Sequence, residues 1–237
     1  MFASIAWSVV VLAVGTPAPV KKPATPPPAP AATAAAATPA PTPTPAPVKS
    51  PTPVPTPSIL ESIEFVKEKL ATYGSYDFEV GSADDPNEAG RVTGLTTVKS
   101  FEKDTCVLTL SRKLDIQTST AGDDEGDFHD SSNIELRIPL KEVDASVGKS
   151  SLAKMGGFEV RRGGSLTQLE IKAKGDRKPI AVTGTKRIED RGEKKEIKVG
   201  DSVASTYVIF ADDEIAARAK KAFENAIGLC QRKKEAF

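Results

Sequence analysis

This sequence offers little with which to coordinate, stack or attract at long range. It has one histidine and two well-separated cysteines in 237 residues, so no zinc set of the usual four-ligand spacing can be assembled. Aromatic residues make up 5% of the chain, too few for base stacking, a sugar-binding platform or an interfacial membrane belt. Lys and Arg number 32 and so do Asp and Glu. With no excess of either sign there is no field to draw in polyanions, and nucleic acid is not an expected partner. Charge is also missing from residues 1–15, where the apolar run Ala3 to Val14 lies. That run is shorter than the about 20 residues of a spanning helix but suits the hydrophobic region of a signal peptide. Ala13 and Gly15 are small residues at the −3 and −1 positions of a cleavage site before Thr16. The same segment, left uncleaved, would be an N-terminal anchor, and Lys21 and Lys22 behind it would then favour a cytoplasmic tether. The expectation is a signal peptide or anchor over 1–15 and export to the periplasm, the cell envelope or the medium, with 1–15 as a membrane tether if retained.

Proline is abundant, but in one place: 16 of the 19 prolines fall between Pro17 and Pro57. Proline fixes φ and lacks an amide hydrogen, so a stretch built from Pro, Ala, Thr and Val favours polyproline II. Residues 16–57 are therefore expected to be a disordered Pro/Ala/Thr-rich linker. At about 3.1 Å per residue, Pro17 to Pro57 could reach roughly 130 Å. A PxxP ligand or an O-glycosylated stalk is the competing reading, but the prolines form low-complexity runs without a framed motif.

The remainder, 58–237, has the size of one domain with one core. Ser58 and Glu61 form a capping box ahead of the apolar stripe Ile59, Ile63, Val66 and Leu70, and Gly74 is placed to end the helix. The middle of the chain reads as short strands. The clearest is Ile134 to Leu140, where apolar residues alternate with polar ones and Pro139 marks an edge or bulge. Others are predicted at Tyr76–Val80, Leu95–Phe101, Cys106–Arg112, Gly157–Arg161, Leu166–Lys174, Ile180–Thr183 and Val203–Phe210. Asp115–Ser132 reads as a mobile acidic insertion and Gly184–Gly200 as a charged, protruding hairpin. A last helix is predicted from Asp212, with Asp213 and Glu214 at its positive end and Arg232, Lys233 and Lys234 at its negative end. Its small-residue face, Ala216, Ala219, Phe223, Ala226 or Ile227, and Cys230, could seal a sheet. The fold class expected is α+β: an antiparallel, strongly curved sheet closed by a C-terminal helix, with an additional N-terminal helix.

Three stretches carry a resemblance: Thr105 to Leu110, the strand IELRIPLKEV from Ile134 to Val143, and YVIFADDEIAARAKKAFENAIGLC from Tyr207 to Cys230. In this order they resemble pleckstrin-homology-like (PH-like) barrels, over roughly 75–230. The resemblance implies a scaffold that binds peptides, lipids or proteins without choosing among them. Phosphoinositide-binding members of that family use basic residues of an early strand and loop. Here Arg112 and Lys113 precede an acidic stretch, so that activity is not carried over.

Motifs for chemistry fail on inspection. The sole histidine, His129, lies in the acidic run Asp123 to Asp130, readable as a metal or general-base site or as a solvated loop; a calcium loop counted from Asp123 puts Phe128 where glycine is required and Ile134 where a bidentate Glu is required. Gly148-Lys149-Ser150 ends like a phosphate loop, but Val143 replaces its first glycine. Arg161-Arg162-Gly163-Gly164 reads as a hairpin turn rather than an anion contact. No Gly-x-Ser-x-Gly elbow occurs. Catalytic, cofactor-binding and metal residues are accordingly assigned as none. Cys106 and Cys230 remain either a disulfide stapling the last helix to the sheet or two buried thiols. The function expected is a non-catalytic, surface-tethered binding or scaffolding domain with a protein or peptide partner. The alternatives are an envelope hydrolase with a carboxylate site and a mechanical spacer with a folded cap.

Overall fold

Ser58 opens the first helix as its sequence implies. Its Oγ accepts from the Glu61 amide at 3.3 Å and its own amide donates to Glu61 Oε2 at 2.6 Å. Helix α1, Ile59–Tyr73, then buries Ile59, Ile63, Val66 and Leu70. The computed structural model describes residues 56–81, 88–120, 128–155, 158–162, 166–190 and 192–232; the leader and linker expected over 1–15 and 16–57 lie outside the described residues apart from 56 and 57. Gly74 ends α1 with φ −87°, so left-handed backbone is not the reason for the glycine. Close approach is: a Cβ there would stand 2.4 Å from the Leu70 carbonyl oxygen and 2.5 Å from that of Thr96.

Eleven strands follow among the described residues: β1 Ser75–Gly81, β2 Glu88–Glu102, β3 Val107–Thr120, β4 Phe128–Pro139, β5 Gly148–Ser151, β6 Lys154–Met155, β7 Phe158–Arg162, β8 Thr167–Lys172, β9 Ile180–Asp190, β10 Glu193–Val203 and β11 Ser205–Phe210. Helix α2, Asp213–Arg232, ends the described chain. Eight strands form a strongly curled antiparallel sheet, a half-barrel, in the order β10-β9-β4-β3-β2-β1-β7-β6. The other three form a second sheet, β11-β8-β5. The α+β class with a terminal helix and an added leading helix is therefore observed, but with two sheets where one was expected.

Alternation along β3 shows how the large sheet is used. Leu108, Leu110, Arg112, Leu114, Ile116 and Thr118 share one face, and their partners on β4 include Leu136 and Ile138. This core face meets α1, α2 and β11. One apolar cluster joins Val66, Leu70, Leu108, Leu110, Leu136 and Ile138 to Phe210 and Phe223. A second joins Tyr76, Phe78, Val80, Val92 and Ile116 to Ile209. Strand β11 contributes Val208 and Phe210 to the first and Ile209 to the second, so it is apolar on both faces.

Asp212 caps α2, its Oδ1 accepting from the Ile215 amide at 2.8 Å, and the helix buries Ala216, Ala219, Phe223, Ala226, Ile227 and Cys230. The small residues of this face let the helix axis come close to the sheet. At its far end Cys230 Sγ lies 2.24 Å from Cys106 Sγ, with Cα atoms 5.9 Å apart, and both residues are fully buried.

Several strand boundaries differ from those the sequence suggests. Strand β2 begins seven residues before Leu95, because Gly90 and Gly94 interrupt an alternation that in fact continues through Val92 and Thr96. Asp115–Ser132 is no loose insertion: β3 runs to Thr120 and β4 starts at Phe128, with Asp115 paired to Ser131. Residues 121–127 lie outside the described residues. The charged hairpin is present as β9 and β10, but β9 also pairs with β4, so it continues the sheet instead of standing free. Arg161 and Arg162 do not lead into a hairpin with β8, since β7 pairs with β1 and β6 while β8 belongs to the small sheet. Pro139 ends β4, paired to Val107 on one side and beyond the reach of β9, whose register stops at Arg137.

Two outcomes are expected. Gly74→Ala should lower stability by about 1–3 kcal/mol, because both oxygens its Cβ meets are backbone atoms that cannot rotate away; urea unfolding would show a lower midpoint at unchanged slope. With 124 residues separating the cysteines, Cys106→Ser with Cys230→Ser should cost about 2–5 kcal/mol. Thiol labelling of denatured, unreduced wild-type protein should find no reactive thiol, and two would disprove the bond.

Candidate functional site

The face of the large sheet turned away from the core is built from the other half of each alternation, and its residues line up in rows across six strands. One row reads Ser75, Leu95, Lys113, Asn133, Thr185 and Lys198; the next reads Asp77, Thr93, Asp115, Ser131, Arg187 and Glu196; a third reads Glu79, Arg91, Gln117, His129, Glu189 and Lys194. The first row carries lysines as its only charges, the second is mainly acidic and the third mixed, so charges of both signs balance over the three rows together. The face therefore attracts neither polyanions nor polycations as a whole, and it can discriminate only at short range.

Two adjoining hollows lie along it. One, about 610 Å³, is lined by Asp77, Leu95, Lys113, Asp115, Asn133 and Arg187. The other, about 850 Å³, lies toward the tips of the long hairpins and is lined by Glu79, Arg91, Gln117, His129, Arg161 and Glu189. Each exceeds a single water-sized void many times over and is open along the sheet.

Cross-strand pairs fix most of the charged side chains. Arg91 grips Asp77 bidentately, with Nε donating to Oδ1 at 2.8 Å and Nη2 to Oδ2. Such a pair is shorter and stronger than a single contact, though exposure of both groups limits its worth. The hydrogen bond to Arg91 is the main reason the Asp77 carboxyl is held below its ordinary pKa. Arg187 Nε donates to Glu196 Oε2 at 2.8 Å, and Lys194 pairs with Glu189 at 3.3 Å. Lys113, in the middle of the first row, is exposed and has no ion-pair partner among the described residues.

His129, expected in a solvated loop, sits instead on β4 in the third row, directly opposite Gln117. Its Nε2 is 2.7 Å from Asp115 Oδ2, and Asp115 Oδ1 accepts from Gln117 Nε2 at 3.1 Å. The carboxylate thus fixes the orientation of the imidazole, which is half of a general-base arrangement. No serine or cysteine is hydrogen-bonded to that ring among the described residues, and no cluster of three metal-ligating side chains occurs among them. What this face presents is an array of donors and acceptors at fixed spacing, roughly 4.8 Å apart across strands and 6.8 Å along them.

The remaining residues singled out by sequence are dispersed. Lys149 of β5 pairs with Asp213 at the start of α2 at 2.9 Å and holds no phosphate-loop geometry. Arg112 points into the core and away from the rows. Cys106 and Cys230 lie beneath the opposite face of the sheet. The rows themselves are visible in sequence only as the polar half of each alternation, and their alignment depends on strand register. Comparison with family models, with curated proteins and with solved structures returned no match.

Because Asp77 has a lowered pKa in the fold, its contribution to stability is present above the unfolded carboxylate pKa of about 4 and is lost as pH falls through the folded value. Asp77→Asn should therefore lower the melting temperature near neutral pH and leave it unchanged once the pH is well below the folded value. Thermal melts across the acid range would test this; equal melting curves at all pH values would show that the pair contributes nothing.

Proposed function

We propose that this chain is a non-catalytic binding or scaffolding module, exported and held at a surface by its N-terminal segment, and that it receives an extended stretch of a protein or peptide partner across the open face of the large sheet. The observation that carries this reading is the set of three polar rows running over six strands into two adjoining hollows. Such a surface is broad enough for a chain segment and too open to enclose a small molecule. Its fixed, mixed charges favour a ligand that presents both donors and acceptors at β spacing, and Lys113 offers a charge to an incoming acid.

Export is the second part of the proposal. It is supported by the apolar run Ala3 to Val14 and by the cysteine pair at disulfide distance, which suits an oxidising compartment. No helix among the described residues is long and apolar enough to cross a membrane, so tethering in this reading falls to residues 1–15, with 16–57 as the spacer. The half-barrel followed by α2 supports reading the architecture as PH-like, with α1 and the three-stranded sheet as additions to it.

The full chain, immobilised and panned against a displayed library of short random peptides, should enrich a family of sequences. Their affinity should fall by about tenfold or more on Lys113→Glu with Arg187→Glu, while circular dichroism and the melting temperature stay close to wild type. Undiminished binding to that variant, or no enrichment at all, would count against the open face as the binding surface.

A further inference from the structure

Among the described residues Arg112 is the one buried arginine, 6% exposed, near the midpoint of β3. Its Nη2 donates to Thr206 Oγ1 at 3.2 Å and to the Tyr207 carbonyl, and its guanidinium carbon lies 4.3 Å from the centre of the Tyr207 ring. Every one of these partners is neutral. No carboxylate pairs with Arg112 among the described residues, although guanidinium remains charged at any pH a protein survives.

Two more donors lie beside it with nothing to donate to. Thr96, 1% exposed, is the cross-strand partner of Arg112. Tyr76, 4% exposed, reaches over Gly94, where a Cβ would stand 2.4 Å from the Tyr76 hydroxyl oxygen. Gly94 shares a face with Thr96 two residues along β2, so both hydroxyls fall on the same patch of core as the guanidinium. Neither hydroxyl has a hydrogen-bond partner. Burial pushes Tyr76 up to about 12 against the opposing pull of Arg112, so it stays protonated and able to donate.

An uncompensated buried charge is among the costliest features a core can contain, and unpaired hydroxyls beside it add to that cost. Ordered water would satisfy the hydroxyls but would leave the charge uncompensated. An anion does both. We propose that Arg112, Tyr76 and Thr96 form a buried binding site for a small inorganic monoanion of halide size. Size follows from burial: with the three residues 1–6% exposed, the patch admits nothing that trails an organic chain. Bound there, the ion would join β1, β2 and β3 to β11 and so tie the two sheets together.

The full chain should melt at a higher temperature in sodium chloride than in sodium gluconate of equal ionic strength, with an increment that grows with chloride and then saturates. Tyr76→Phe and Thr96→Val, each checked for native circular dichroism, should reduce that increment without needing Arg112 to be disturbed. Crystals grown in bromide should give an anomalous peak within hydrogen-bond reach of the Arg112 guanidinium and the Tyr76 hydroxyl. Equal melting in the two salts, an increment undiminished in both variants, or a bromide map with water alone at that position would each overturn the proposal.

Discussion

The fold depends on one short strand being apolar on both faces. Strand β11 turns Val208 and Phe210 toward α2 and Ile209 toward β1 and β2, so a single backbone separates and supplies both apolar clusters. On one side its backbone is paired with β8 along its whole length, from Ser205–Lys172 to Phe210–Thr167. Where this strand passes β3, Arg112 holds its carbonyl, side-chain hydroxyl and ring together. The small sheet thus fills the curl of the large one, and α2 closes over the small sheet.

That arrangement divides the labour between the two faces of the large sheet. The core face is committed to α1, α2 and β11, and the apolar groups it buries stabilise the domain by the transfer of their surface out of water. The other face is left to solvent and to whatever docks there. Its side chains are held at defined positions by strand register and by pairs such as Arg91–Asp77 and His129–Asp115, which fix donors and acceptors in advance of the binding proposed here. Preorganisation of this kind lowers the entropic cost of binding. In the role proposed, a surface with few aromatics would rely on hydrogen bonds and local charge.

Much of this was readable from local pattern. The Ser58–Glu61 box, the α1 stripe, the buried face of α2 and the second half of strand β4 all depend on residues within a few positions of one another, and these are where the sequence puts them. What escaped was non-local. Gly94 reads as a break in β2, yet it is there because the Tyr76 ring of the neighbouring strand lies over it. Asp115, Asp130 and His129 read as a solvated acidic loop, yet cross-strand pairing absorbs them into β3 and β4. Strand β5, Gly148–Ser151, has no apolar alternation at all and exists because β8 offers it an edge. Arg112 reads as the end of a strand ahead of an acidic stretch, and nothing beside it in sequence foretells a carbonyl from β11.

Sequence alone determined that an apolar run and a proline-rich stretch precede the portion that folds, together with which residues are buried on α1, on α2 and on the second half of β4. These follow from φ restriction and from periodicity, which are properties of neighbouring residues. Tertiary structure alone decided that the strands make two sheets, that the polar halves of six strands align into rows, and that a guanidinium lies between two apolar clusters. Pairing partners and register are set by contacts between residues distant along the chain, and the alternation that marks a strand is the same whichever partner it meets.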